Sequence, residues 1–202
     1  MTDATANDRA ALAWGWAGSA LQVESGDLHV VVTFPGGALV GLIDGLGHGP
    51  HAAEAARAAA AVLEAHASDS LAILVQHCHD ALRKTRGAVM SLASFRAADS
   101  SMTWLGVGNV DAVLIGSDGT RTEALVGRGG VVGYQVPTLR ANTVRVSPED
   151  TLIMVTDGIS GGFTADLAIA SSPQEIADTI LARFTKSSDD AHVVVARYLG
   201  GR

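Results

Sequence analysis

Hydrophobic and polar positions change period several times along the chain, and the changes mark out its elements. Residues 12–23 and 28–34 have strand-like runs, and Pro35-Gly36-Gly37 is a turn leading into the apolar run 38–43. The runs on either side of that turn are expected to form a hairpin. After Gly49-Pro50 the stretch HAAEAARAAAAVLEAHA is almost wholly helix former, with Pro50 suited to the first turn. A second helix is expected over 70–84, where Leu71, Leu74, Val75, Cys78 and Leu82 recur at helical spacing. Gly87 stands where its C-terminal stop belongs. Strand patterns return at 88–95, 101–107, 110–115, 121–126, 143–146 and 151–156, with the turn Ser117-Asp118-Gly119 among them. Ser172-Pro173-Gln174-Glu175 has the spacing of an N-cap with Glu three residues on, opening a helix to about residue 184. A final apolar strand follows at 192–198. Because hairpin-length connections dominate, the order reads as α+β with mainly antiparallel pairing.

Composition narrows the class. A chain of 202 residues with 48% hydrophobic residues can bury roughly 70% of the surface its unfolded form exposes. One domain from residue 11 to the end is expected, after a polar, frayed stretch at residues 1–10. Cys78 is the only cysteine, so no internal disulfide forms and a reducing, cytoplasmic setting is expected. No apolar run approaches the ~20 residues of a membrane span, and MTDATANDRA has no signal-peptide pattern. Fourteen Lys+Arg against 21 Asp+Glu, with no basic cluster, argues against nucleic-acid binding. The 23 glycines imply many turns or close backbone approaches.

The candidate chemistry lies where carboxylates interrupt the apolar pattern. Asp44 ends the run 38–43 and opens the loop Gly45-Leu46-Gly47-His48-Gly49, while Asp157-Gly158 follows the run 152–155. Asp27 begins the second strand, and Asp189-Asp190 precede the last one. Carboxylates gathered at strand ends repel unless a cation sits among them, and magnesium or manganese takes oxygen ligands of this kind. Glycine after Asp lets the chain fold tightly, so that its carbonyl can face the metal. The plainer reading is a turn, and Asp118-Gly119 is read that way. A third reading takes GLGHG before a helix as a phosphate cradle, but its G-x-G-x-G spacing departs from G-x-G-x-x-G, and Asp44 would face the phosphates.

LIDGLGHGPHAAEAA, TDGIS and SDDAHVVVARY, in that order, resemble the metal-dependent serine/threonine protein phosphatases of the SpoIIE-type branch, relatives of the type-2C phosphatases. The small size, the GLGHGP loop and WLGVGNVDAVL are most similar to the stand-alone phosphatases of bacterial stressosome circuits. The resemblance spans about residues 15–198 and implies a four-layer α-β-β-α sandwich of two antiparallel sheets flanked by helices. It also implies two manganese or magnesium ions, held by Asp27, Asp44, the Gly45 carbonyl, Asp157 and Asp189, with Asp190 supporting the site or replacing Asp189. His192 stands where the branch usually has Thr. The implied reaction is hydrolysis of phosphoserine or phosphothreonine on a STAS-domain partner by a metal-activated water, with Asp44 and Asp157 central to catalysis. The alternative is a catalytically silent domain that regulates by binding its partner. A monomer or weak dimer is expected.

His48 is the nearest ionisable group to protonate the leaving oxygen, or else it only fixes its loop. No Arg stands near Asp27 or Asp44 in the sequence to clamp a phosphate, and Arg128 in the 127–130 loop is a candidate substrate contact. His77-Cys78-His79 cannot converge on one ion from a helix, which leaves Cys78 for the core. Asn109, rather than Asp111, occupies the position of a third-metal aspartate in larger relatives, so no tight third site is expected. Trp14, Trp16 and Trp104 are expected in the sheet core or on strand faces.

Overall fold

The computed structural model describes residues 10–201. In chain order the elements are β1 (Ala10–Ser19), β2 (Asp27–Phe34), β3 (Gly37–Gly45), α1 (Pro50–Ala65), α2 (Leu71–Leu82), β4 (Ala88–Arg96), β5 (Ser101–Val107), β6 (Asp111–Ile115), β7 (Thr122–Leu125), β8 (Asn142–Arg145), β9 (Thr151–Val155), α3 (Pro173–Phe184) and β10 (Ala191–Gly201). The ladders between them are antiparallel and form two sheets, ordered β1-β10-β9-β6-β7 and β2-β3-β4-β5-β8.

Three apolar clusters hold four layers together. Leu39 and Ile43 of β3 meet Leu63 of α1 and Leu74 of α2 on the outside of one sheet. Val40 and Leu42, on the opposite face of β3, meet Leu152, Met154, Val194 and Tyr198 between the sheets. Ile153, Val193 and Val195 meet Ile176 and Ile180 of α3 on the far side. This is the expected α-β-β-α sandwich. Because each central strand is covered on both faces, β9 and most of β10 are buried residue after residue instead of alternating. Each fully buried Leu or Ile contributes roughly 1.5–3 kcal/mol.

The alanines of α1 now have a packing role. Ala52, Ala55, Ala56 and Ala59 are almost wholly buried, and their small side chains let the helix lie close to the sheet. At its first turns the approach is so close that a Cβ on Gly45 would overlap the Ala52 carbonyl oxygen. On α3, Ser172 and Glu175 form the expected reciprocal cap: the Ser172 hydroxyl accepts from the Glu175 amide, and Glu175 accepts from the Ser172 amide at 2.9 Å.

Several boundaries move. The first strand ends at Ser19 instead of continuing to 23, because residues 20–26 cross from one sheet to the other. The hairpin expected around Pro35-Gly36-Gly37 forms between β2 and β3, but β3 runs on through Asp44 and Gly45. Helix α2 stops at Leu82, so Gly87 is not its cap. It instead adopts φ 81° where β4 begins, close against the Val132 backbone. Most of the frayed stretch expected at residues 1–10 lies outside the described residues; Ala10 is inside β1 and buried. Among the described residues no helix is long and apolar enough to cross a membrane.

Candidate metal centre

The alternation that packs the space between the sheets also delivers the acidic groups. On β3, the parity that points Ala38, Val40 and Leu42 into the intersheet core continues to Asp44. On β2, Asp27 shares the parity of Val31, which packs against the same core, and Asp27 pairs directly with Asp44 across the ladder. Two carboxylates facing each other there are destabilising unless something neutralises them. Asp157 lies two residues beyond β9 and Asp189 two before β10. Both join Asp44 in lining a cleft of about 550 Å³, together with His48, Asn109 and Ser188.

Neighbouring groups hold these carboxylates in place. The Thr156 hydroxyl donates to Asp27 Oδ2 at 2.7 Å while accepting from the His192 amide at 2.8 Å, which links the start of β2 to β10. Asn109 Nδ2 donates to Asp157 Oδ2 at 2.7 Å. Lys186 Nζ donates to the Asp157 backbone carbonyl. Gln22 Nε2 donates to His48 Nδ1 at 2.8 Å, leaving Nε2 of the ring as its N–H.

Asp190 differs from Asp189. Its Oδ1 accepts from the Leu21 amide at 2.6 Å and its Oδ2 from the Gly26 amide at 2.7 Å, so the carboxylate anchors the crossing loop that ends at Asp27. It is buried and does not line the cleft. The Gly45 carbonyl likewise lies beside Gly26, outside the lining.

The electrostatics are those of crowded carboxylates. Burial is the main cause that pushes Asp44 up to about 8, with Asp27, Asp157, Asp189 and Asp190 adding to it. Asp27 is pushed up to about 7, again chiefly by burial; the Thr156 hydrogen bond opposes the shift and the other aspartates reinforce it. Groups that hold protons this tightly near neutral pH are equally disposed to accept a cation. The aspartates offer only oxygen donors, which suit magnesium or manganese better than a soft metal.

His192 forms a separate cluster. Burial and the neighbouring His29 push its pKa down to about 3, and its Nε2 lies 2.9 Å from His29 Nδ1. Trp16 stacks on His192 with ring centroids 5.2 Å apart. Trp14 and Trp16 thus occupy a strand face, half exposed, whereas Trp104 is in the core. Cys78 is buried, as expected, with its thiol pushed up to about 12 by burial. His79 turns elsewhere, accepting from the Gly133 amide.

An arginine absent from the sequence neighbourhood of Asp44 arrives through the fold. Arg86 Nη1 lies 2.8 Å from where a Cβ on Gly47 would stand, which places a guanidinium on the cleft-lining loop. Arg128 is exposed, with its backbone tied to Gly106 and Gly108 beside the cleft. Thr156, the Asn109–Asp157 bond and Arg86 were not singled out as site residues from sequence. Only Thr156 had a usable signal, since it shares the intersheet parity of Leu152 and Met154.

The profile of the family described as Stage II sporulation protein E (SpoIIE) matches residues 35–199. The chain belongs to the SpoIIE family. It is a PP2C-type phosphatase domain. Phosphoserine phosphatase RsbX of Bacillus subtilis (strain 168) is 25% identical over 155 residues, covering 76% of this chain and 77% of RsbX. A solved structure described as "The bacterial stressosome: a modular system that has been adapted to control secondary messenger signaling" has TM-score 0.84 and 28% identity, over 93% of this chain and 100% of that one. RsbX in complex with magnesium has TM-score 0.81 and 20% identity, over 95% and 96% respectively.

Proposed function

We propose that this SpoIIE-family protein is a cytoplasmic, metal-dependent phosphatase that hydrolyses phosphoserine or phosphothreonine on a STAS-domain regulatory protein of a stressosome or partner-switching circuit. The observation that carries the reading is the convergence of Asp44, Asp157 and Asp189 on one cleft, with Asp27 paired to Asp44. The substrate class is supported by the likeness to RsbX, named a phosphoserine phosphatase, and to a structure from the bacterial stressosome.

Asp27, Asp44, Asp157 and Asp189 would hold two magnesium or manganese ions. Such a pair supplies a water nucleophile at neutral pH and neutralises phosphoryl charge. The chain's own residues prepare the rest. Asn109 orients Asp157, Thr156 orients Asp27, and Asp190 fixes the loop that delivers Asp27. His48 lines the cleft. As the imidazolium, with the Gln22 side-chain amide turned so that its oxygen accepts from Nδ1–H, it donates its Nε2 proton to the departing serine or threonine oxygen and is left as the neutral ring. Arg86, on the neighbouring loop, adds positive charge beside the entering phosphate.

A silent regulatory domain is the second reading, and retention of all four aspartates favours the active one. Purified protein with manganese or magnesium should dephosphorylate a phosphorylated STAS-domain protein and an aryl phosphate. Absence of hydrolysis of both substrates would overturn the reading. His48→Asn should lower kcat by about 100-fold without changing metal affinity.

A further inference from the structure

A second set of metal-ligating side chains converges at the opposite end of α1 from the acidic cleft. His66 is the C-cap of α1, Asp69 lies in the connection to α2, and His77 stands two turns into α2. At a rise of about 1.5 Å per residue, α1 carries His66 about 24 Å from the glycine-rich loop where the helix begins. One ligand atom from each residue lies within 4.8 Å of the other two. Asp69 Oδ2 is 3.6 Å from His66 Nδ1 and 3.8 Å from His77 Nε2. These gaps are too long for hydrogen bonds. Two atoms bound tetrahedrally to one zinc ion stand roughly 3.3–3.5 Å apart, so a small contraction closes the gaps.

Three further features favour a cation at this point. The backbone holding His66 and Asp69 is fixed: the His66 amide donates to the Val62 carbonyl at 3.1 Å, and the Asp69 amide to the His66 carbonyl at 2.9 Å. The last turn of α1 carries no basic side chain, so the negative end of a 16-residue helix dipole is uncompensated. The side chains of all three residues are roughly 40–50% exposed, leaving solvent free to complete the coordination shell. The adjacent cysteine does not take part, because Cys78 is buried with its sulfur 3.8 Å from the Ala59 carbonyl.

We propose that His66, Asp69 and His77 form a binding site for a borderline divalent cation of the zinc class, separate from the oxygen-only centre in the cleft. Two imidazoles and one carboxylate are a donor set for zinc, nickel or copper, whereas magnesium and manganese prefer oxygen. A bound ion bridges the end of α1 to the exposed face of α2 and so stiffens the helical layer that covers the sheet carrying Asp27 and Asp44.

Calorimetric titration of the full chain with zinc, in excess magnesium to fill the acidic cleft, tests the site. One zinc ion per chain is expected, with histidine-ring resonances of His66 and His77 shifting while those of His51 and His79 stay put. His66→Ala combined with His77→Ala should weaken uptake at least 100-fold, and Asp69→Asn about 10-fold. Zinc at 100 times its Kd should raise Tm by roughly 5–10 °C in the parent and leave the double histidine variant unmoved. An Asp44→Asn, Asp157→Asn variant should retain the zinc. Zinc uptake unchanged in the histidine variant, no uptake by the parent, or loss of uptake in the Asp44→Asn, Asp157→Asn variant overturns the proposal. None of these readouts depends on phosphatase activity, so this site and the hydrolytic reading fail separately.

Discussion

The same dipeptide does opposite things in two regions of this molecule. Asp118-Gly119 sits at the tip of the β6–β7 hairpin, where Gly119 adopts φ 70° and a Cβ on it would meet nothing within 4 Å. Hydrogen bonds from the Thr120 hydroxyl and amide hold Asp118 below the usual carboxylate range. Asp44-Gly45 and Asp157-Gly158 lie at the end of the sandwich where Asp44 and Asp157 line the cleft. Neither Gly45 nor Gly158 has a positive φ. They are required by proximity: a Cβ on Gly45 would overlap the Ala52 carbonyl, and one on Gly158 would overlap the Asp190 carbonyl. At the hairpin tip glycine supplies a turn. At the sheet end it supplies thinness, letting α1 and the approach to β10 close on the carboxylates and raise Asp44 to about 8.

The largest effects should come from restoring a side chain at the thin positions. Gly158→Ala pushes against backbone, which cannot rotate away, and should destabilise by ~3 kcal/mol or more. Gly45→Ala should behave similarly. Gly119→Ala has only its left-handed φ to overcome, about 1–2 kcal/mol. Urea unfolding of the three variants checks this, and equal losses at all three would erase the distinction.

Next come the carboxylates. Asp44→Asn and Asp157→Asn should each abolish detectable metal-dependent hydrolysis and weaken manganese uptake in calorimetry. Asn109→Ala, which leaves the ligands but frees Asp157, should cost a more modest 10–100-fold in activity. Activity of Asn109→Ala within twofold of the parent would show that Asp157 needs no orienting partner.

Stability against pH gives a subtler readout. Asp44 binds its proton more tightly in the folded chain, at about 8, than in the unfolded one, near its ordinary 3.8. In this range the folded state holds the extra proton, so stability in chelator should fall as pH rises from about 4 to 8. Asp27 acts in the same direction up to about 7. Unfolding midpoints in EDTA at pH 5.5 and pH 8 measure the fall, and saturating magnesium should reduce it. A flat profile would mean that the aspartates are not crowded in solution.

Much of this architecture was legible from local pattern. The capping box at Ser172, the Pro50 helix start and the Pro35-Gly36-Gly37 hairpin depend on neighbours a few residues away, and each formed as expected. Asp44, Asp157 and His48 could be selected because each follows an apolar run or occupies the loop after one, and Asp189-Asp190 because the pair precedes the last run. The choice of Asp189 within that pair rests on the family resemblance. What escaped depends on contacts across the fold. Asp190 and Asp189 are adjacent in sequence, yet only the path of the crossing loop decides that Asp190 accepts from Leu21 and Gly26. Arg86 reaches Gly47 from 39 positions away, and His66 meets His77 only because α1 and α2 fold back together. The tight folding expected of Gly45 and Gly158 is local, whereas the close approach of the Ala52 and Asp190 carbonyls that makes glycine necessary there depends on the fold.

The smallest effect is the counterpart of the largest. Asp118→Asn removes a fully exposed charge, and its amide can still accept from the Thr120 hydroxyl. Because the carboxylate is held below its ordinary range, its contribution is present above the unfolded value of 3.8 and fades as pH drops through the folded one. That sign is opposite to the sign at Asp44. The variant should therefore shift Tm at pH 7 by no more than about 2 °C, with the difference disappearing in strong acid and hydrolysis unchanged. If Asp118→Asn instead reduced metal-dependent activity, the hairpin tip would belong to the site, and the separation of turn aspartates from cleft aspartates would collapse.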